Sequence, residues 1–198
     1  MKEKMAVMTL SHEFIKQTVL PRLHSMEDIA AMEANGIVHI PYLDMEVSFF
    51  CPVDEEGDTT KSIQITYSLM EKAGLSVAEV YDMACTHLKG ICLVRSMGEV
   101  LGFEDPGYMW VVSTSSNVFG AAAILCPDLI KKVQDRVGTE FYVLPSSVHE
   151  VLAIPKDGSF DPAELAMLVQ SVNEAEVRPE ERLSNSAYVF NGHNLQIA

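Results

Sequence analysis

Cysteine is scarce in this chain: Cys51, Cys85, Cys92 and Cys126 are the only four in 198 residues. Each lies among apolar neighbours, where a thiol behaves as a small hydrophobe. A disulfide framework is therefore excluded as the organising principle, and a reducing cytoplasm is the compartment that fits. Cys85, His87 and Cys92 fall close together, but the paired spacing of structural zinc is missing. On a helix Cys85 and His87 would point to different faces, so no metal is expected there. Long apolar runs are missing too. Val118–Cys126 is far shorter than the roughly 20 residues that span a bilayer, and Gly120 interrupts it. Met1–Leu10 carries Lys2, Glu3 and Lys4 and lacks the apolar stretch of a secretory leader. Neither a membrane span nor secretion by the usual signal is expected.

Positive charge is in short supply. Fourteen Lys and Arg face 28 Asp and Glu, a net charge of −14, and the acidic excess is spread over the whole length. Without a block of Lys or Arg there is no electrostatic footprint for a phosphate backbone, so direct nucleic-acid binding is disfavoured. The excess reads first as a solvated, solubilising surface and second as a face for a basic protein partner. Phosphate-binding glycine loops are absent: no G-x-x-x-x-G-K-[ST] or G-x-G-x-x-G occurs, and Gly98, Gly102 and Gly107 are too irregularly spaced. Asp54, Glu55, Glu56 and Asp58 lack the order of a calcium loop and read as a solvated loop. His12, His24, His39, His87 and His193 stand singly, without the i, i+4 spacing of a helical metal pair. No cofactor is expected.

The composition that remains is that of a globular core, 48% apolar, with apolar positions along the whole chain. No linker is visible, so one main domain over residues 1–198 is expected, with residues 1–60 left open as a lobe of their own. A first helix starts near Ser11, its cap, and runs through Phe14, Ile15 and Val19 until Pro21 ends or kinks it. A second covers Met26–Ala34, stopped by Asn35-Gly36. Strands follow at Ile37–Leu43 and Met45–Pro52, with an exposed hairpin or loop at Asp54–Thr60. Ile63, Ile65 and Tyr67 alternate as a strand before a short helical turn at Leu69–Ala73, stopped by Gly74. Ser76 and Glu79 form a capping box for a helix on Val77, Val80, Tyr81, Ala84 and Leu88, with Gly90 as its terminus.

From Met109 onward the order is strand, turn, strand, helix, twice over. The segments are Met109–Ser113, Phe119–Leu125 and Asp128–Val137, then Phe141–Leu144, Val148–Ile154 and Pro162–Asn173. The short connections Ser115-Ser116-Asn117 and Pro145-Ser146-Ser147 make each strand pair antiparallel. Tyr188 and Phe190 face Leu195 and Ile197 in a terminal hairpin. The expected fold class is α+β: an antiparallel or mixed sheet built from ββα units, with helices packed mainly on one face.

Three stretches carry a resemblance: Phe119-Gly120-Ala121-Ala122-Ala123-Ile124-Leu125, Leu144-Pro145-Ser146-Ser147-Val148-His149-Glu150-Val151, and Val172-Asn173 followed by Pro179-Glu180-Glu181-Arg182-Leu183-Ser184. They resemble an uncharacterised bacterial family of unknown function, found in anaerobic Gram-positive, often gut, bacteria. The likeness covers about residues 63–190. It implies a bacterial cytoplasmic origin and one contiguous domain, and it transfers no catalytic or binding residue.

Chemistry has to be judged on the residues themselves. Ser146, Ser147, His149 and Glu150 bring a hydroxyl, an imidazole and a carboxylate within five residues, the groups a hydrolase sets in hydrogen-bonded series. On an extended strand Ser147 and His149 share one side and Glu150 takes the other, so a local triad is disfavoured and a serine-rich turn is the simpler reading. No G-x-S-x-G elbow occurs. Eleven methionines, among them Met26, Met32, Met45, Met70, Met83, Met97, Met109 and Met167, suit core filling first and an adaptable binding surface second. Trp110 reads as a packed strand residue. With no complete catalytic kit, a protein-binding or accessory module is favoured over an enzyme. The alternative is a small hydrolase or transferase whose site is assembled around His149 and distant residues. Oligomeric state is left open.

Overall fold

The structure, a computed structural model, describes residues 12–56, 59–104 and 107–198. Ser11, expected to cap the first helix, lies outside the described residues, as does Gly57. The first part of the chain builds an antiparallel sheet. Helix α1 (His12–Thr18) leads into β1 (Leu20–Ser25). A 3-10 turn at Met26–Asp28 and helix α2 (Ile29–Ala34) follow, then β2 (His39–Tyr42), β3 (Met45–Glu56) and β4 (Thr59–Gln64). The long β3 is the spine: β1 pairs along one side, and β2 and β4 pair with successive stretches of it. Strand β1 went unread because Pro21 signals a stop. In the structure Pro21 sits opposite Phe49 in an edge strand, where a missing N–H costs little.

Helix α3 (Tyr67–Ala73) ends at Gly74, whose φ of 65° is the left-handed conformation that its lack of a Cβ permits. Helix α4 (Val77–Ile91) opens on the expected capping box: Ser76 Oγ accepts the Glu79 N–H at 3.3 Å, and Glu79 Oε2 accepts the Ser76 N–H at 2.8 Å. It runs through Gly90 to Ile91. Two unread elements follow directly, β5 (Cys92–Ser96) and helix α5 (Met97–Leu101). A second capping box, Ser96 with Glu99, starts α5; the S-x-x-E signal was there to be read.

The second sheet has six strands in the order β10-β9-β7-β8-β6-β5, all antiparallel. They are β6 (Trp110–Thr114), β7 (Phe141–Ser147), β8 (Glu150–Pro155), β9 (Tyr188–Phe190) and β10 (Leu195–Ile197), with β5 at the far edge. The expected strand at Phe119–Leu125 is instead a 3-10 helix, Gly120–Leu125, fully buried. Three successive alanines lack the β-branched bulk that favours strands. Their small side chains let the backbone lie in a thin layer against β6, β8, β1 and α4. The first expected ββα unit is thus corrected to strand, 3-10 helix, and helix α6 (Pro127–Val137), while the second forms as the β7–β8 hairpin and helix α7 (Pro162–Glu176).

One hydrophobic cluster joins the layers: Val47 and Phe49 of the first sheet, Val80, Ala84 and Leu88 of α4, Ala121–Leu125, and Val143 and Val151 of the second sheet. On the opposite face of the second sheet, Leu165 and Val169 of α7 pack on Tyr142, Leu144, Ile154 and Val189. A polar clasp ties the two sheets together at the β2–β3 turn. Asp44 accepts hydrogen bonds from Ser184 Oγ at 2.6 Å, Ser186 Oγ at 2.8 Å and Tyr188 OH at 2.5 Å. Burial works against the Asp44 charge, but these three donors outweigh it and hold the carboxyl below its ordinary pKa.

Candidate functional site

The β7–β8 hairpin turns two to three residues later than the sequence suggests. Strand β7 continues through Ser146 and Ser147, with a bulge between Pro145 and Ser147, and Ser147 pairs with Glu150. His149 is therefore a turn residue rather than a strand residue. Ser147 Oγ accepts the backbone N–H of His149 at 3.1 Å, so it serves the turn and not the imidazole. Glu150 makes no contact with the His149 ring in the bonds described; Ser146 points to a different region, an apolar cleft. The four residues that lie together in sequence are not brought together as a triad.

The structure does bring distant residues to His149. Phe119, held at φ 54°, donates its N–H to His149 Nδ1 at 3.3 Å and stacks on the ring at 5.5 Å between centroids. With Nδ1 accepting, Nε2 carries the proton and donates to Glu181 Oε1 at 3.1 Å. Glu181 sits on the 3-10 turn Pro179–Glu181 and also pairs with Arg178, and its backbone carbonyl accepts the Val148 N–H at 2.9 Å. The Arg178 pair, with the His149 bond adding to it, pulls the Glu181 carboxyl below its ordinary pKa despite burial. From the first sheet, the Arg22 guanidinium lies 4.5 Å over the Phe119 ring, a cation–π contact. Both ring nitrogens of His149 are thus engaged, and the ring is clamped on one face. Chemically this arrangement fixes the turn to residues 179–181; proton transfer would first require one of those two bonds to open.

Other titratable groups pair off locally. In the first sheet, on the face that also carries Arg22 and Phe50, His24 Nε2 meets Ser48 Oγ at 2.7 Å and His39 Nδ1 meets Glu46 Oε2 at 3.0 Å. His87 Nδ1–H donates to the Val19 carbonyl at 2.8 Å, while Cys85 shares a side-chain hydrogen bond with Cys126. Among the described residues, no group of three or more His, Cys, Asp or Glu is placed to hold a metal ion. No described helix is long and apolar enough to cross a membrane.

An apolar cleft opens on the far side of the second sheet. Helix α7 covers β7 and leaves the neighbouring strands partly open, and Met109, Leu144, Leu152, Leu168 and Val172 line the gap with Ser146 at its edge. Its volume of about 80 Å³ suits an apolar side chain; sites for small organic ligands run to about 300 Å³ or more. Leu168 in its lining is 51% exposed, and Met167 and Tyr108, next in sequence to lining residues, are 63% and 69% exposed; Leu101 and Phe103, on the segment that leads to Met109, are exposed as well. The charges in these segments are all of one sign. Residues 157–177 contain Asp157, Asp161, Glu164, Glu174 and Glu176, and residues 97–109 contain Glu99, Glu104 and Asp105, with no Lys or Arg in either stretch. Sequence reasoning named Met109 and Met167 only among eight methionines assigned first to core filling, and it missed the face. The signal was Leu165-Ala166-Met167-Leu168-Val169, five apolar positions in a row on a helix that needs only one apolar stripe.

A larger cavity of about 240 Å³ lies between α6 and the terminal hairpin, lined by Tyr42, Ile130, Lys131, Phe190 and His193 among others. The Tyr42 hydroxyl there is already spent on the Ile124 carbonyl at 2.7 Å.

Two antiparallel sheets clasped around a helical layer, with one clamped histidine and one apolar cleft, define an α+β protein with no complete catalytic constellation among the described residues. The chain belongs to the family of unknown function DUF5688, whose profile matches residues 2–192. The match extends through the N-terminal third, beyond the expected span of about residues 63–190. No curated protein and no solved structure matches it.

Proposed function

We propose that this protein is a cytoplasmic protein-binding module whose docking face is the cleft between α7 and the open part of the second sheet. The partner is a basic segment that carries apolar side chains, such as an amphipathic helix. One observation carries the reading: large exposed apolar side chains, Leu168, Met167 and Tyr108, stand in the cleft's lining or next in sequence to it, and the two segments that present them carry only acidic charge. Soluble proteins rarely leave such a patch uncovered unless it binds something. The acidic surround selects for a basic partner and steers its approach. Four free cysteines fit a reducing compartment.

The test is methionine-methyl NMR with two synthetic amphipathic peptides, one of Lys and Leu and one of Glu and Leu. The Lys/Leu peptide is expected to shift Met109 and Met167, to weaken with added salt, and to bind at least about tenfold more weakly to Leu168→Arg. Equal binding of both peptides, or shifts confined to other methyls, would overturn the assignment.

A second reading, a hydrolase or transferase organised on His149, has the assembled His149–Glu181 contact in its favour. It needs a nucleophile within reach of the ring. Ester hydrolysis that vanishes in His149→Gln while the fold persists would favour it over the docking module.

A further inference from the structure

Two thiols from separate elements meet beneath the surface. Cys85 lies in the middle of α4, partly exposed, and Cys126 is the N-cap of α6, buried. The two share a side-chain hydrogen bond. Their approach is fixed by the surrounding structure rather than by chance: Tyr81, one turn before Cys85, donates its hydroxyl to the Leu125 carbonyl at 2.6 Å and also contacts Cys85. That bond locks the Cys85 turn of α4 against the residue preceding Cys126.

We propose that Cys85 and Cys126 form a reversible, peroxide-driven dithiol–disulfide pair, with Cys85 as the attacking sulfur and Cys126 as the resolving one. Exposure assigns the roles: Cys85 is partly exposed and Cys126 is buried. The bond from Cys126 helps Cys85 lose its proton and, together with burial, makes Cys126 hold its own. The chemistry balances in two steps. The Cys85 thiolate attacks one oxygen of hydrogen peroxide; an S–O bond forms, the O–O bond breaks, and the departing hydroxide takes a proton to become water. The Cys126 sulfur then attacks the Cys85 sulfenic acid. The S–S bond forms, the S–O bond breaks, and hydroxide leaves as water with the Cys126 proton. Two thiols and one peroxide give one disulfide and two waters, and a dithiol reductant reverses the change. The inference does not rest on the docking reading: it uses the α4–α6 contact and would stand if the cleft bound nothing.

The test uses the full chain, treated with a small excess of hydrogen peroxide, alkylated and digested. The expected result is a peptide pair joining Cys85 to Cys126 that is two hydrogen masses lighter than the free peptides. Two of the four thiols should be lost to alkylation and recovered with dithiothreitol. Cys85→Ser should abolish the cross-link, whereas Cys126→Ser should leave Cys85 to trap as a sulfenic-acid adduct with dimedone. Cys92→Ser, whose thiol donates instead to the Leu93 carbonyl, should leave the cross-link intact. Oxygen added at Cys85 without a cross-link in the parent protein, a different pairing, or four unreacted thiols would each overturn the proposal. Far-UV circular dichroism of each variant ensures that a lost cross-link is read only from folded protein.

Discussion

Substituting Gly120 by alanine tests the layered packing directly. A Cβ built on Gly120 would lie 2.4 Å from Ser113 Cα, 2.6 Å from Thr114 N and 2.7 Å from Ser113 C, all backbone atoms of β6. Carbon atoms settle at about 3.5–4.0 Å, so either the 3-10 segment or the strand has to move by about 1 Å. Strand β6 is held on both sides by ladders to β5 and β8 and cannot yield alone. The movement falls on the Ala121–Ala123 layer, whose members are all buried. Overpacking of this kind costs about 1–3 kcal/mol where side chains can adjust, and with only backbone to shift the upper end, about 3 kcal/mol, applies. For a chain of this length that lowers the melting temperature by about 6–12 °C. Gly90 is the internal control. It lies within α4, is exposed, and a Cβ there meets nothing within 4 Å. Gly90→Ala should stabilise the protein by about 0.5–1 kcal/mol through helix propensity. Scanning calorimetry of both variants reads the two signs. A Gly120→Ala protein melting within about 2 °C of the parent would refute the close approach of the 3-10 segment to β6.

Two further outcomes follow from the polar contacts. Burial, aided by the nearby Arg22, drops the His24 pKa to about 4 from the ordinary 6.5, so the unfolded chain takes up the proton first. His24 therefore contributes stability that is whole above pH 6.5 and drains as the pH falls toward 4, by up to about 3 kcal/mol. Urea unfolding at pH 7 and pH 4.5 should show a smaller difference for His24→Gln than for the parent, and an unchanged difference would refute it. His149→Ala and Glu181→Ala, made singly and together, should show a coupling of about 1 kcal/mol in a double-mutant cycle. Strictly additive losses would mean that the ring does not hold the 3-10 turn.

What could be read from the residues was what local pattern determines. The Ser76–Glu79 capping box, the helical spacing from Val77 to Leu88, and the hairpins at β7–β8 and β9–β10 depend on neighbours in sequence. The misreadings have tertiary causes. Phe119–Leu125 looks like an apolar strand because its length and hydrophobicity do not say that two sheets will press on it from either side; alanine was the clue to a thin layer. Strand β1 was hidden by Pro21, tolerable only because β1 is an edge. At the candidate sites, His149 was singled out from its neighbours, yet its partners Phe119 and Glu181 are 30 and 32 positions away in sequence, and no local spacing announces them. The apolar cleft and its exposed rim escaped because exposure is set by which strands α7 leaves uncovered, a property of sheet order.

The Asp44 clasp has a consequence for how the molecule is made. Its carboxylate lies in a turn completed early, while the Tyr188 hydroxyl is 144 positions downstream. A ribosome adding about 5–20 residues per second delivers that partner roughly 7–30 s later. Throughout that interval the first sheet stands without the fastening that joins it to residues 184–188, and once β7 is made, the edge onto which β9 must pair is bare as well. The nascent protein is thus a half-closed form for far longer than a hairpin needs to fold, and it is during this interval that a chaperone, or another nascent copy with the same bare edge, has its opportunity.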